Sequence, residues 1–369
     1  MVSYKVNAIY LNDIFNPKKN SLSFLRFVLA ALVIFSHSYT LGGFGSEALF
    51  GSTQETYGGF AVYNFFILSG FLITRSYITS SSIWRFLWNR ILRIFPGFWA
   101  CLIITILIFA PIIYLAENSS LTGYFNSKTD HPLDYLKVNL FLEMRQYSIA
   151  NLLKEIPFPK AFNGSLWTLI YEFKCYLLIA FIGAMGILTK YKKFITYLFL
   201  CLWLIYIIDI AVPGAASKIF PYFSDIYLLR LSMYFLAGAT YFLFIENIVI
   251  SKKFFLFALG LTILSIQNNF YLLIAPLTLP YILFWLAFKL PFTNFDKYGD
   301  FSYGLYIYAF PIQQMLSFFG LNTKGFNIYF ILSLLMSMIP SVLSYHIIEK
   351  PFLKLKTIQI KQIRLLFKR

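Results

Sequence analysis

The sequence predicts an all-α, polytopic membrane bundle of about ten transmembrane helices with both termini in the cytoplasm, and three observations carry that prediction. Of 369 residues, 59% are hydrophobic and only 12% charged, and the mean hydropathy of +0.70 lies far above that of soluble domains. The apolar residues gather in runs of about 17 to 25, the length a spanning helix needs, rather than in the short alternating segments of a β-barrel. Every connection between runs also fits one alternating distribution of Lys and Arg.

Residues 1–21 are polar and are expected to lie in the cytoplasm ahead of the first span. The apolar runs follow at 22–41, 58–78, 94–116, 166–188, 194–212, 226–246, 253–268, 270–288, 301–319 and 326–348. Only Asn268 and Asn269 divide the seventh run from the eighth. Cytoplasmic connections then hold Arg75, Arg85, Arg90 and Arg93, then Lys190, Lys192 and Lys193, then Lys252 and Lys253, then Lys289 and Lys297. A missed or invented span would reverse the side of every later basic loop.

One domain, 22–351, is expected to fill the membrane, with an outer loop at 117–165 that could carry short helices and a basic cytoplasmic tail at 352–369. The net charge of +16 reads as topology and contact with anionic lipid headgroups, which argues against nucleic acid as a partner. Cys101, Cys175 and Cys201 all fall in apolar runs without metal-ligand spacing, so buried thiols are expected and no metal site. The polar first 20 residues do not resemble a cleavable signal peptide.

Within the first run, Arg26 and His37 are eleven residues apart, close to three helical turns, so they share a face about 16 Å apart along the axis. Ionisable groups inside a span need a partner or a wet cavity. Arg90 and Arg93, three apart at the cytoplasmic boundary, share a face. With Arg26 and Arg85 they make a cationic mouth suited to phosphates, although headgroup contact alone would explain three of them. A phosphate-binding mouth inside and an imidazole outside suit a long donor with a polyphosphate head and a reactive far end, the shape of an acyl-coenzyme A.

At these residues the sequence resembles the integral-membrane acyltransferase 3 family, whose hallmark is an Arg, ten residues and a His in the first span. The resemblance continues through FFILSGFLI (65–73), NRILRIFP (89–96), SLWTLIYEF (165–173), SYGLYIYAFP (302–311) and IIEKP (347–351), in family order over nearly the whole chain. Ala309 departs from it, standing where many members have a histidine.

The resemblance implies transfer of an acyl group, usually acetyl from cytoplasmic acetyl-coenzyme A, to hydroxyls of carbohydrates in surface polysaccharides or lipid-linked glycans. It also implies the bacterial inner membrane. No permanently bound cofactor is expected. Transfer to a hydroxyl needs a base, and His37 is the residue in the useful range. Glu172 is the carboxylate expected to orient it, with an ion pair to Lys174 or Arg230 as the competing role. Arg26, Arg90 and Arg93 are expected to hold the donor's phosphates.

Trp167, Arg230 and Tyr306 are weaker candidates for the acceptor. For Trp167 an interfacial anchor competes with a sugar-stacking platform. Tyr303 and Gln313 could line a polar tunnel, Ser69 and Gly70 are expected to let helices approach closely, and Glu349 is expected to pair with Arg90 or Arg93, with Pro351 ending the last helix. Another acyl donor such as succinyl-coenzyme A, or a glycan or lipid transporter with Arg26, Glu172 and Arg230 along its path, remain the alternatives.

Overall fold

The computed structural model describes residues 8–357, so most of the basic tail lies outside the described residues. Ten long helices, each overlapping one of the apolar runs, account for the architecture, the third beginning eleven residues before its run: α1 (Leu22–Gly42), α2 (Tyr57–Ile78), α3 (Ile83–Ile104), α4 (Leu169–Ala184), α5 (Lys193–Ala211), α6 (Ile226–Leu243), α7 (Lys252–Gln267), α8 (Tyr271–Lys289), α9 (Ser302–Phe318) and α10 (Phe326–Ser344). No strand occurs among the described residues. Eight helical stretches are long and apolar enough to cross a membrane. The two that fall short are α7, of 16 residues, and α9, of 17.

Helix starts follow local chemistry. Thr56 caps α2, accepting from the Gly59 N–H at 2.9 Å, and Ser82 caps α3 through the Arg85 N–H at 3.2 Å. Such caps satisfy the orphan donors of a first turn. After α3 the chain passes through a π-turn at Thr105–Phe109 into a further helix to Asn118, so this span runs from Ile83 to Asn118. The outer loop carries a short helix, Pro132–Asn139, which His131 caps by accepting from Leu133 N–H.

Two expectations are corrected. Pro351 does not end the last helix: α10 runs through a π-turn at Tyr345–Glu349 into a helical turn at Lys350–Lys354. Proline is tolerated there because it opens a new turn, where its missing N–H leaves no bond unmade. Cys201 is exposed on α5, whereas Cys101 and Cys175 are buried; all three are free. A run apolar on every side cannot tell which face packs inward.

By internal packing the chain falls into two compact units. Among the described residues, the first comprises 8–26, 48–79 and 177–298; the second comprises 27–47, 80–176 and 299–357. In the first, α2 and α6 cross at contact distance. A Cβ on Gly70 would overlap the Phe235 carbonyl, and one on Gly238 would overlap the Ile67 carbonyl, so the expected role of Gly70 holds. In the second, Ser333, Ser337 and Ser341 of α10 return their hydroxyls to carbonyls one turn back, a stripe of small satisfied residues that lets Gly304 of α9 lie against Ser341.

Candidate functional site

The second unit contains His37, Arg90 and Arg93 of the expected site, and Arg26 falls in the first. His37 lies in the last turns of α1, with its ring edge-on to Phe310 at 5.4 Å. Its Nδ1 is buried without a hydrogen-bond partner among the described residues. The helix around it is held to α9 by Gln313, whose amide donates to the Ile34 carbonyl and to Ser38 Oγ, both at 3.0 Å. Gln314 ties α9 to the outer loop through the carbonyls of Phe158 and Ala161. These buried bonds hold the imidazole's helix in place, so Gln313 packs the helix rather than lining a tunnel.

The carboxylate whose charge reaches His37 is Glu47. After α1 the chain turns through Gly43 and Gly45, both at positive φ, a region glycine enters without steric cost. That turn carries Glu47 back to the helix, where Ser36 Oγ donates to its Oε2 at 2.6 Å. The one signal in the sequence was an acidic residue just past a glycine-rich turn that follows the histidine.

Glu172 accepts from Tyr176 OH and shares its surroundings with Arg90 and Tyr303. Its position on α4 follows from helical phase, which a count of residues from the membrane surface does not capture.

At the other end, Arg93 donates from Nη2 to Asp300 Oδ2 at 3.0 Å, and its Nη1 stands 3.5 Å from Glu349 Oε2. Glu349 therefore pairs with Arg93, as expected. The Arg93 guanidinium also lies 5.7 Å from the Tyr303 ring centre, and Tyr303 OH donates to the Ile94 carbonyl at 2.7 Å. Arg90 lies over the rings of Phe86 and Tyr176 at 5.7 and 5.9 Å.

Lys356, which the sequence reading passed over as tail, lies close enough to both arginines to feel their charge. Burial first, and then the Arg90 and Arg93 guanidiniums, push its ammonium down to about 8. Three cations thus share this end of the unit, with two carboxylates committed to one of them.

The remaining candidates divide between structural and open roles. Tyr306 OH donates to the Ser165 carbonyl at 2.9 Å and is 2.6 Å from Thr168 Oγ1, which anchors the Ser-Leu-Trp segment on α9. Asn163 supports the same junction by donating to the Ile307 carbonyl at 2.7 Å. Trp167 packs edge-on to Tyr171 at 5.6 Å. Arg26 and Arg230 belong to the first unit. Arg26 Nη2 donates to Ser23 Oγ at 3.3 Å, and Ser23 donates to Asp296 at 3.1 Å. Arg230 donates to Tyr63 OH at 2.7 Å.

The model of the acyltransferase domain family, acyltransferase 3, matches residues 19–346. The chain belongs to the acyltransferase 3 family. This acyltransferase is 29% identical over 348 residues to the O-acetyl transferase of Shigella phage Sf6, covering 91% of this chain and 96% of the relative. It is also 28% identical over 173 residues to nodulation protein 10 of Rhizobium leguminosarum bv. viciae, covering 45% and 44% of the two chains. No solved structure matches it. The enzyme is a membrane protein that transfers acyl groups, so the transporter reading falls away.

Proposed function

We propose that this O-acyltransferase takes acetyl from cytoplasmic acetyl-coenzyme A and passes it to a hydroxyl of an envelope carbohydrate, a surface polysaccharide or lipid-linked glycan, in the bacterial inner membrane. The observation that carries the reading is the pairing, inside one compact unit, of a histidine–carboxylate pair with a cationic end formed by Arg90, Arg93 and Lys356. The relative named an O-acetyl transferase supports the acetyl donor over succinyl-coenzyme A.

In this mechanism His37 takes the proton of the acceptor hydroxyl as its oxygen attacks the thioester carbon. The carbon–sulfur bond breaks, and the leaving thiolate takes the proton back from the imidazolium as free coenzyme A. Glu47, rather than Glu172, balances the transient charge of the imidazole, while Ser36 fixes the carboxylate. Arg90, Arg93 and Lys356 hold the donor's phosphates through charge-assisted bonds. Arg26 keeps a proposed donor role from its spacing to His37, and Glu172 keeps a supporting one through Arg90.

Membranes carrying wild type or His37→Gln, given labelled acetyl-coenzyme A, test the reading. Label should enter the extracted glycans only with wild type, a loss of roughly a hundredfold or more for the variant. Full labelling by folded His37→Gln would remove the histidine from the chemistry, and no labelling by wild type would remove acetyl as the group transferred.

A further inference from the structure

Arg93 is held by a carboxylate that takes no part in the acyl transfer itself. Asp300 stands two residues ahead of α9, and its Oδ2 accepts from Arg93 Nη2 at 3.0 Å. Its Oδ1 accepts from the Ser302 N–H at 3.3 Å and from the Ser302 hydroxyl. One oxygen is thus tied to the first turn of α9, and the other to Arg93 on α3.

The packing around Asp300 leaves it little freedom. Gly299 has a φ of +136°, a region L side chains rarely enter, and a Cβ there would overlap the Tyr345 ring. Phe301, on the other side of Asp300, lies edge-on to the same ring at 5.3 Å. Tyr303, in the first turn of α9, bonds the carbonyl of Ile94, the neighbour of Arg93, at 2.7 Å. Gly97 makes room for that ring, since a Cβ there would overlap it. Both backbones that carry the Arg93–Asp300 pair are therefore fixed against one another.

Charge alone gives no reason for a carboxylate at a phosphate site. A negative charge there repels the phosphate, and Glu349, 3.5 Å from Arg93 Nη1, already supplies a counter-charge. Geometry does give a reason. Ordering a long, flexible side chain at the moment of binding costs affinity, and a guanidinium ordered beforehand presents its planar fork without that cost. A guanidinium has five N–H donors. Asp300 takes one hydrogen bond, and 20% of the Arg93 side chain stays exposed to a ligand.

We propose that Asp300 is a positioning residue for the acyl donor: it aims the Arg93 guanidinium at the coenzyme's phosphates, and Ser302 holds Asp300 in turn. The inference rests on the donor reading above, in which Arg90, Arg93 and Lys356 bind those phosphates. The competing role is a plain counter-charge for a half-buried arginine.

Acetyl-coenzyme A and S-acetylpantetheine, which carries the same thioester and no phosphate, are the two donors that test it on the full-length protein. Asp300→Ser can still accept from the Ser302 N–H but is too short to reach Arg93. The KM for acetyl-coenzyme A should rise roughly three- to tenfold in this variant, with the KM for S-acetylpantetheine near wild type. Asp300→Asn, whose amide oxygen still receives Arg93, should show a smaller rise. Ser302→Ala leaves the Arg93 pair in place and should move the same KM in the same direction, also by less.

An unchanged or lower KM for acetyl-coenzyme A in folded Asp300→Ser would make Asp300 a counter-charge. An equal rise for both donors would make it a residue of the fold; either result overturns the proposal. If Asp300→Ser does not insert, Asp300→Asn and Ser302→Ala carry the same comparison, and two unchanged donor KM ratios overturn it. Equal KM values for the two donors in wild type would instead sink the phosphate reading of the arginines, and the role of Asp300 with it, a result seen without any variant.

Discussion

Ser36 donates its hydroxyl hydrogen to Glu47 at 2.6 Å, and this bond holds in place the carboxylate whose charge reaches His37. The two residues are eleven apart in sequence, joined by a turn that needs glycine at Gly43 and Gly45. A fixed carboxylate whose charge reaches an imidazole favours its protonated form, which is the help the proposed base needs.

Replacing Glu47 with Gln should therefore lower kcat roughly ten- to hundredfold while leaving both substrate KM values near wild type. Ser36→Ala should show the same pattern more weakly, because it only loosens the carboxylate. Steady-state kinetics with acetyl-coenzyme A and a glycan acceptor separate the two parameters. A rise in KM with kcat unchanged would place Glu47 in binding instead.

Arg93 stands between Asp300 and Glu349, and Glu349 is only 2% exposed. Arg93→Ala would leave that carboxylate buried without its counter-charge, and removing one partner of such a pair costs roughly 3 to 5 kcal/mol. The double variant Arg93→Met, Glu349→Gln should recover much of that stability and still bind acetyl-coenzyme A poorly. Thermal unfolding in detergent, set beside donor KM, checks both halves. Recovery of donor binding together with stability would make Arg93 purely structural.

Lys356 gives the donor site a pH dependence of known sign. Its ammonium is pushed down to about 8 by burial and by Arg90 and Arg93, and the carboxylates of Asp300 and Glu349 are paired with Arg93. Below that pH the site holds its third cation; as pH rises through about 8 the charge is lost. The kcat/KM for acetyl-coenzyme A, which reports groups of the free enzyme, should fall across that range. Lys356→Ala should lower kcat/KM at neutral pH and remove the step, and Lys356→Arg should keep the high value to more alkaline pH. An identical alkaline limb in all three would assign it elsewhere.

Gly70 and Gly238 set the spacing of α2 and α6, since a methyl group on either would overlap a backbone carbonyl of the facing helix. Gly70→Ala should destabilise the protein by roughly 1 to 3 kcal/mol, the ordinary cost of overpacking. Thermal unfolding in detergent reads the loss. Gly260, which a Cβ would leave in open space, is the control: Gly260→Ala should leave stability at or above wild type.

The sequence by itself determined the helices and their order, and it marked Arg26, His37, Arg90 and Arg93 as the ionisable residues to explain. It could do so because hydrocarbon supplies no hydrogen bonds: each spanning segment must satisfy its backbone locally, which writes its length and polarity into consecutive residues. Only the tertiary structure decided who faces whom. Arg93 and Asp300 are 207 residues apart, and Arg230 and Tyr63 are 167 apart. Such pairs depend on how each helix is rotated about its axis, and an all-apolar helix carries no periodic signal of that rotation. Glu47, Asp300 and Lys356 lie in connections beyond the apolar runs, where the fold of a turn brings a charge to its partner. Hydropathy could place these residues at a surface; packing made Glu47 part of the histidine's end and Lys356 part of the cationic one.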